Sequence, residues 1–142
     1  MTNESIQQIR TFNRFYTDLL GLLDSHLLRS SYSLAEGRIL FEISSKGQCQ
    51  ASDIIAVLSI DKGYLSRILK KFEKEGLIQR EASSHDGRVS LLSLSAKGRT
   101  VFEQLDNASN QQIESLVGHL PQQPLADLIG CMQQIMDGLR KS

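Results

Sequence analysis

Nine basic residues fall between Asp61 and Arg99, against five acidic ones. They are Lys62, Arg67, Lys70, Lys71, Lys74, Arg80, Arg88, Lys97 and Arg99. The stretch carries a net charge of +4 within a chain that is neutral overall. Such a segment can bind phosphate locally while the whole molecule stays uncharged. A solvated helix face with mixed charges has the same composition, so charge alone does not decide between the two. Other chemistries find less support. There is no G-x-S-x-G, no phosphate-cradling P-loop and no G-x-G-x-x-G, so neither a nucleophile elbow nor a nucleotide cradle is expected. His26, His85 and His119 lie on three different segments, none within a helical turn of a cysteine or another histidine. No zinc site is therefore expected. Cys49 and Cys131 form no C-x-x-C pair, which suits a reducing compartment. Cys131 lies beside the stripe from Leu128 to Met132 and reads as a buried, inert thiol; Cys49 has a more polar context and no partner. The expectation is a protein that is not an enzyme and uses no cofactor.

These residues need a scaffold. With 142 residues and 40% apolar content the chain can bury a core. No apolar run approaches the roughly 18 residues of a membrane span. The stretch from Met1 to Arg10 is polar and holds no signal-peptide core. A soluble, cytoplasmic protein without membrane contact is expected. The segment from about Glu4 to Arg29 carries Ile6, Ile9, Tyr16, Leu20, Leu23 and Leu27 at helical spacing, widened by Phe12, Phe15, Leu19 and Leu22. That stripe is too broad for a one-sided surface helix and calls for cover on two sides, one of which could be a partner subunit. Ser33-Leu34-Ala35-Glu36 fits a capping box. The helix it opens should stop near Gly47, and Gln48-Cys49-Gln50 could form a brief strand. Ser52 or Asp53 then caps a short helix.

Asp61 is the next cap candidate, favoured over a role as a base reader. Behind it Leu65, Ile68, Leu69 and Phe72 recur at i, i+3, i+4 and i+7, an amphipathic helix whose polar face is basic. Gly76 suits the helix end. Leu77 to Glu81 and Val89 to Leu94 read as strands around a turn-rich loop with an Asp-Gly signal. Ser95 caps a helix to about Val117. Residues 118–123 read as a linker, and Pro124 as first-turn residue of a last, apolar-striped helix.

Two short helices, a tight turn, a basic second helix and a hairpin make a helix-turn-helix with a wing. The major groove admits one helix, which contacts base edges near its N-terminus and phosphates along its flanks. Here the N-terminal stretch is Lys62-Gly63-Tyr64-Leu65-Ser66-Arg67. Gly63 keeps bulk low, and Ser66 and Arg67 offer hydrogen bonds outward. Tyr64 either does the same or packs on the neighbouring helix. Lys70, Lys71 and Lys74 can reach phosphates. The hairpin tip adds Asp86 and Arg88, and an arginine on a thin loop suits a narrow minor groove.

From Leu34 to Gly98 the chain resembles the MarR family of winged-helix regulators. The resemblance rests on Leu65-Ser66-Arg67, the run from Phe72 to Ile78, Asp86-Gly87-Arg88 on the wing, and the run from Leu92 to Gly98. It implies a mainly α fold with a small β-hairpin wing, a winged helix-turn-helix plus N- and C-terminal dimerisation helices. Residues 1–142 would form one domain, with the DNA-binding lobe at about 34–98 and dimerisation helices at about 4–29 and 99–140. By position, Ser66 and Arg67 match recognition-helix contacts. Arg88 matches a wing arginine that enters the minor groove, and Asp86 the aspartate that steadies it. The resemblance implies a homodimeric transcriptional regulator, a repressor on an inverted-repeat operator of double-stranded DNA. It also implies a small aromatic or anionic effector, for which His26, Arg29 and Tyr32 at the junction of the first two helices are candidates. The competing reading is a winged-helix protein-interaction adaptor without DNA binding, against which the retained Arg67 and Arg88 argue.

Overall fold

A computed structural model gives the order α1 (Asn3–Leu27), α2 (Leu34–Lys46), α3 (Ala51–Leu58), α4 (Lys62–Lys74), β1 (Ile78–Ala82), β2 (Ser90–Leu94), α5 (Ala96–Val117) and α6 (Gln122–Leu139). The structure describes residues 1–27 and 30–141, of residues 24–27 the backbone alone. The chain divides into two compact units, Met1–Ala108 and Ser109–Ser142.

In the first unit, local signals start and stop the elements. The Ser33 backbone N–H donates to Glu36 Oε1 and the Glu36 N–H to Ser33 Oγ, both at 3.1 Å, completing the capping box of α2. Gly47, at φ 72°, ends that helix. The cap of α3 differs from expectation. Gln50 holds the N-cap position, and Asp53 reaches back from the third helical residue to accept the Gln50 N–H at 2.8 Å. A carboxylate in the first helical turn satisfies an orphan donor from inside the helix as well as from the cap. The turn between α3 and α4 is Ser59-Ile60-Asp61, with Ser59 left-handed at φ 50°. Asp61 is the expected cap: its Oδ2 accepts the Tyr64 N–H at 2.9 Å.

Leu65, Ile68, Leu69 and Phe72 are all buried, so the inferred stripe of α4 is its core face. They pack with Ile39, Leu40 and Ile43 of α2, Ile54 of α3, Leu77, Ile78, Leu92, Leu94 and Leu105. Helix α4 ends in a Schellman arrangement. Gly76 adopts φ +75°, its N–H donates to the Glu73 carbonyl at 3.0 Å, and the Leu77 N–H donates to the Phe72 carbonyl at 2.8 Å. The strands pair antiparallel from Ile78↔Leu94 to Ala82↔Ser90, one residue later than expected at the start of each. The brief strand foreseen at residues 48–50 is a single bridge, Cys49 exchanging backbone bonds with Leu92 at 3.0 and 2.7 Å. That pairing buries Cys49, whose thiol is pushed up by burial above the ordinary range.

Ser95 joins the hairpin to α5. Its Oγ accepts the Gly98 N–H at 2.9 Å and donates to the Gly76 carbonyl at 2.6 Å, while its own N–H donates to the Leu77 carbonyl at 2.9 Å. On α1 the expected double cover is not supplied within the described chain: Ile9 is 55% and Phe15 64% exposed.

In the second unit, α6 starts two residues earlier than expected, with Pro121 at its N-cap and Pro124 in its first turn. It has no buried residue; Ile129, Met132, Ile135 and Met136 all face outward. Cys131 is exposed rather than buried, because the stripe beside it is uncovered in the single chain.

Candidate nucleic-acid interface

Helix α4 turns one face to the core, and ionic ties fasten its two flanks. On one flank Lys71 Nζ donates to Glu36 Oε2 at 2.6 Å and lies 5.4 Å from the centre of the Tyr32 ring. One turn further on, Tyr32 Oη donates to Glu75 Oε2 at 3.1 Å. On the other flank Arg80 of β1 pairs with Glu73. At the end of the helix Lys97 Nζ donates to the Glu75 carbonyl at 2.8 Å, a cation meeting the negative end of the dipole.

At about 100° per residue, the face opposite the core is Gly63, Arg67, Lys70 and Lys74, spaced i, i+4, i+7 and i+11. All four are exposed, and neither Lys70 nor Lys74 has an ion pair among the described residues. Lys62, at the start of the helix, is exposed as well, as is Ser66 on the Arg80 flank. The Arg67 guanidinium lies 5.7 Å from the centre of the Tyr64 ring, one turn earlier on the helix. Tyr64 thus stacks on its own helix, at 38% exposure. Gly63 has a second role beyond low bulk: a Cβ there would lie 3.2 Å from Asp61 Oδ2, crowding the capping carboxylate.

Of the nine basic residues in the segment, Lys71, Arg80 and Lys97 are occupied inside the fold. The sequence grouped Lys71 with the phosphate-reaching lysines, whereas its ammonium neutralises Glu36. Burial alone would raise the Glu36 carboxyl. The hydrogen bond from Lys71, then that from the Ser33 N–H, outweigh burial and hold it below the ordinary glutamate range.

A depressed folded pKa gives stability that is full above the unfolded value of about 4.3 and lost as pH falls through the folded one. Glu36→Gln is therefore expected to flatten the loss of stability below about pH 4 and to cost on the order of 1 kcal/mol at neutral pH. Lys71 is 42% exposed, and solvent screening keeps that figure small. Thermal melts of both proteins between pH 3 and 7 check this; parallel pH profiles would show that the pair carries no such linkage.

At the hairpin tip Asp86 Oδ1 accepts both the Arg88 backbone N–H at 3.0 Å and its Nε–H at 3.3 Å. These bonds, the backbone one first, hold the Asp86 carboxyl below the usual aspartate range. The Arg88 side chain is 92% exposed, so the loop presents it while Asp86 restricts its direction. His85 is exposed on the same tip, its N–H donating to Ser83 Oγ at 3.2 Å.

The three effector candidates do not come together as a described site. Arg29 and the side chain of His26 lie outside the described residues. Tyr32 is taken up with α4, its ring edge-on to Phe72 at 6.4 Å. Sequence reasoning missed the ties through Glu36, Glu73, Glu75 and Lys97, which join positions 7 to 43 residues apart and carry no local signal.

A short helix, a three-residue turn, a second helix with an outward basic face and a hairpin presenting an arginine define a winged helix-turn-helix. Residues 32–90 match the model of the MarR family. The HTH-type transcriptional regulator BilQ of Clostridium symbiosum is 24% identical over 121 residues, 85% of this chain and 84% of BilQ. Among solved structures, a mutant of MarR from E. coli complexed with operator DNA superposes with a TM-score of 0.76 at 24% identity, over 94% of this chain and 96% of that one. Bordetella bronchiseptica BpsR, described for regulation of its DNA binding by 6-hydroxynicotinic acid, superposes with a TM-score of 0.74 at 18% identity, over 90% and 91%. No described helix is long and apolar enough to cross a membrane.

Proposed function

We propose that the chain is a sequence-specific DNA-binding transcriptional regulator, a repressor acting as a homodimer on an inverted-repeat operator. The observation that carries this reading is the outward face of α4, Gly63, Arg67, Lys70 and Lys74, held in place by ties that consume the other charges around it. Tyr64, Ser66 and Arg67 supply base-edge contacts near the start of the helix. Lys62, Lys70 and Lys74 supply phosphate contacts. Arg88, aimed by Asp86, enters the minor groove. Lys71 contributes to the local potential while bound to Glu36.

The homodimer is supported by the apolar face of α1 and, separately, by that of α6, each of which is left exposed in the single chain. In a two-fold dimer the recognition helices would lie about 34–36 Å apart, one turn of DNA. A small aromatic or anionic effector is proposed by analogy with BpsR, near the α1–α2 junction.

Two measurements test the proposal. Sedimentation at micromolar concentration is expected to give a dimer, and a stable monomer throughout that range would contradict it. Selection of bound duplex from a random pool is expected to enrich a site with dyad symmetry. An enriched site lacking a dyad would remove the two-fold geometry. Enrichment of nothing would favour the protein-interaction adaptor.

A further inference from the structure

Glu75 stands where an acid is unfavourable. It is the C-cap of α4, at the negative end of the helix dipole, where a cation would be stabilising. Lys97 offsets this at the Glu75 carbonyl, and the carboxylate is left to accept Tyr32 Oη. Tyr32 is likewise more than a packing residue. Its ring meets Phe72 edge-on and lies under the Lys71 ammonium, which phenylalanine could also provide. Only the hydroxyl reaches Glu75. Tyr32 follows the end of α1 by five residues and precedes α2 by two. Five residues span at most roughly 18 Å even when fully extended, so a side chain fixed here restricts where α1 stands relative to α4.

We propose that Tyr32 is a positioning residue: through Glu75 it fixes the C-terminal turn of the recognition helix to the α1–α2 connection, and so sets the distance between the two recognition helices of the dimer. The inference rests on the DNA-binding, dimeric reading above. It assigns Tyr32 to operator geometry rather than to contact with an effector. Base and phosphate contacts are left to the outward face of α4, so Tyr32 governs which half-site spacing is accepted and not how strongly duplex of random sequence is held.

The test uses the full chain, with Tyr32→Phe, Glu75→Met and the double variant. Each is titrated against operators whose half-sites are separated by the selected spacing and by one base pair more or less, and against random duplex. Melting curves run alongside. Tyr32→Phe keeps the ring, so melting and random-duplex affinity should stay near wild type. Discrimination between the selected and altered spacings should fall about three- to tenfold, the worth of one hydrogen bond. The double variant should lose no more than the larger single loss, because both changes break one bond.

Unchanged discrimination in Tyr32→Phe would overturn the proposal and leave DNA binding intact. Additive losses would overturn the Tyr32–Glu75 link. A wild type that binds DNA without spacing preference would also overturn it, since nothing would then be positioned. A wild type that does not bind DNA would remove the functional reading and this inference with it.

Discussion

Alanine in place of Arg88 is expected to weaken DNA binding by about 1–3 kcal/mol and to lower the steepness of its salt dependence by about one. Folding should be almost untouched. The side chain is 92% exposed and, among the described residues, bonds only to Asp86 on its own loop, and surface changes of that kind usually move stability by about 0.5 kcal/mol or less. In the proposed complex the same guanidinium enters a narrow minor groove, where the negative potential is enhanced. Asp86→Ala should give a smaller loss, because it frees the arginine without removing it. Lys46→Ala is the control, an exposed lysine on α2 outside the basic segment. Affinities at several salt concentrations, with melting curves, decide the matter. An Arg88→Ala protein that binds like wild type would mean the wing is not inserted. One that unfolds would make Arg88 a structural residue.

Gly98→Ala should act through the fold. A Cβ at Gly98 would lie 2.0 Å from the Leu77 carbonyl oxygen and 2.9 Å from its carbon. The obstacle is backbone, and the Leu77 carbonyl already accepts the Ser95 N–H, so it cannot turn aside without breaking the joint between hairpin and α5. A loss of about 3 kcal/mol or more is expected, at the upper end of overpacking effects. Gly37→Ala is the matched comparison: nothing lies within 4 Å of its added Cβ. In a helix that exchange should stabilise by about 0.5–1 kcal/mol. Denaturant melts that rank the two variants the other way would refute the close approach of α5 to Leu77.

The contrast between these positions shows what the sequence could disclose. Asp61, Ser33, Ser95 and the stripe of Leu65, Ile68, Leu69 and Phe72 were legible because caps and helical periodicity are written within a few residues. Gln50 was not, since Ser52 and Asp53 are better cap formers by type, and the position was decided by where the chain leaves its bridge to Leu92. The ion pair of Lys71 with Glu36 was hidden for a different reason. Its partner Glu36 is 35 residues away and already employed in a capping box, so no local pattern announces a second bond to the same carboxylate. Cys131 was expected to be buried because an apolar stripe implies cover; the single chain carries the stripe and not the cover.

The central claim is that the outward face of α4 and the wing arginine hold duplex DNA. Its most direct test is titration of the wild-type protein against a labelled random duplex from about 50 to 200 mM salt, the range over which phosphate contacts dominate. Measurable binding is expected at the lowest salt, weakening steeply along a straight line in log affinity against log salt. Absence of binding at the lowest salt, or binding indifferent to salt, would contradict it.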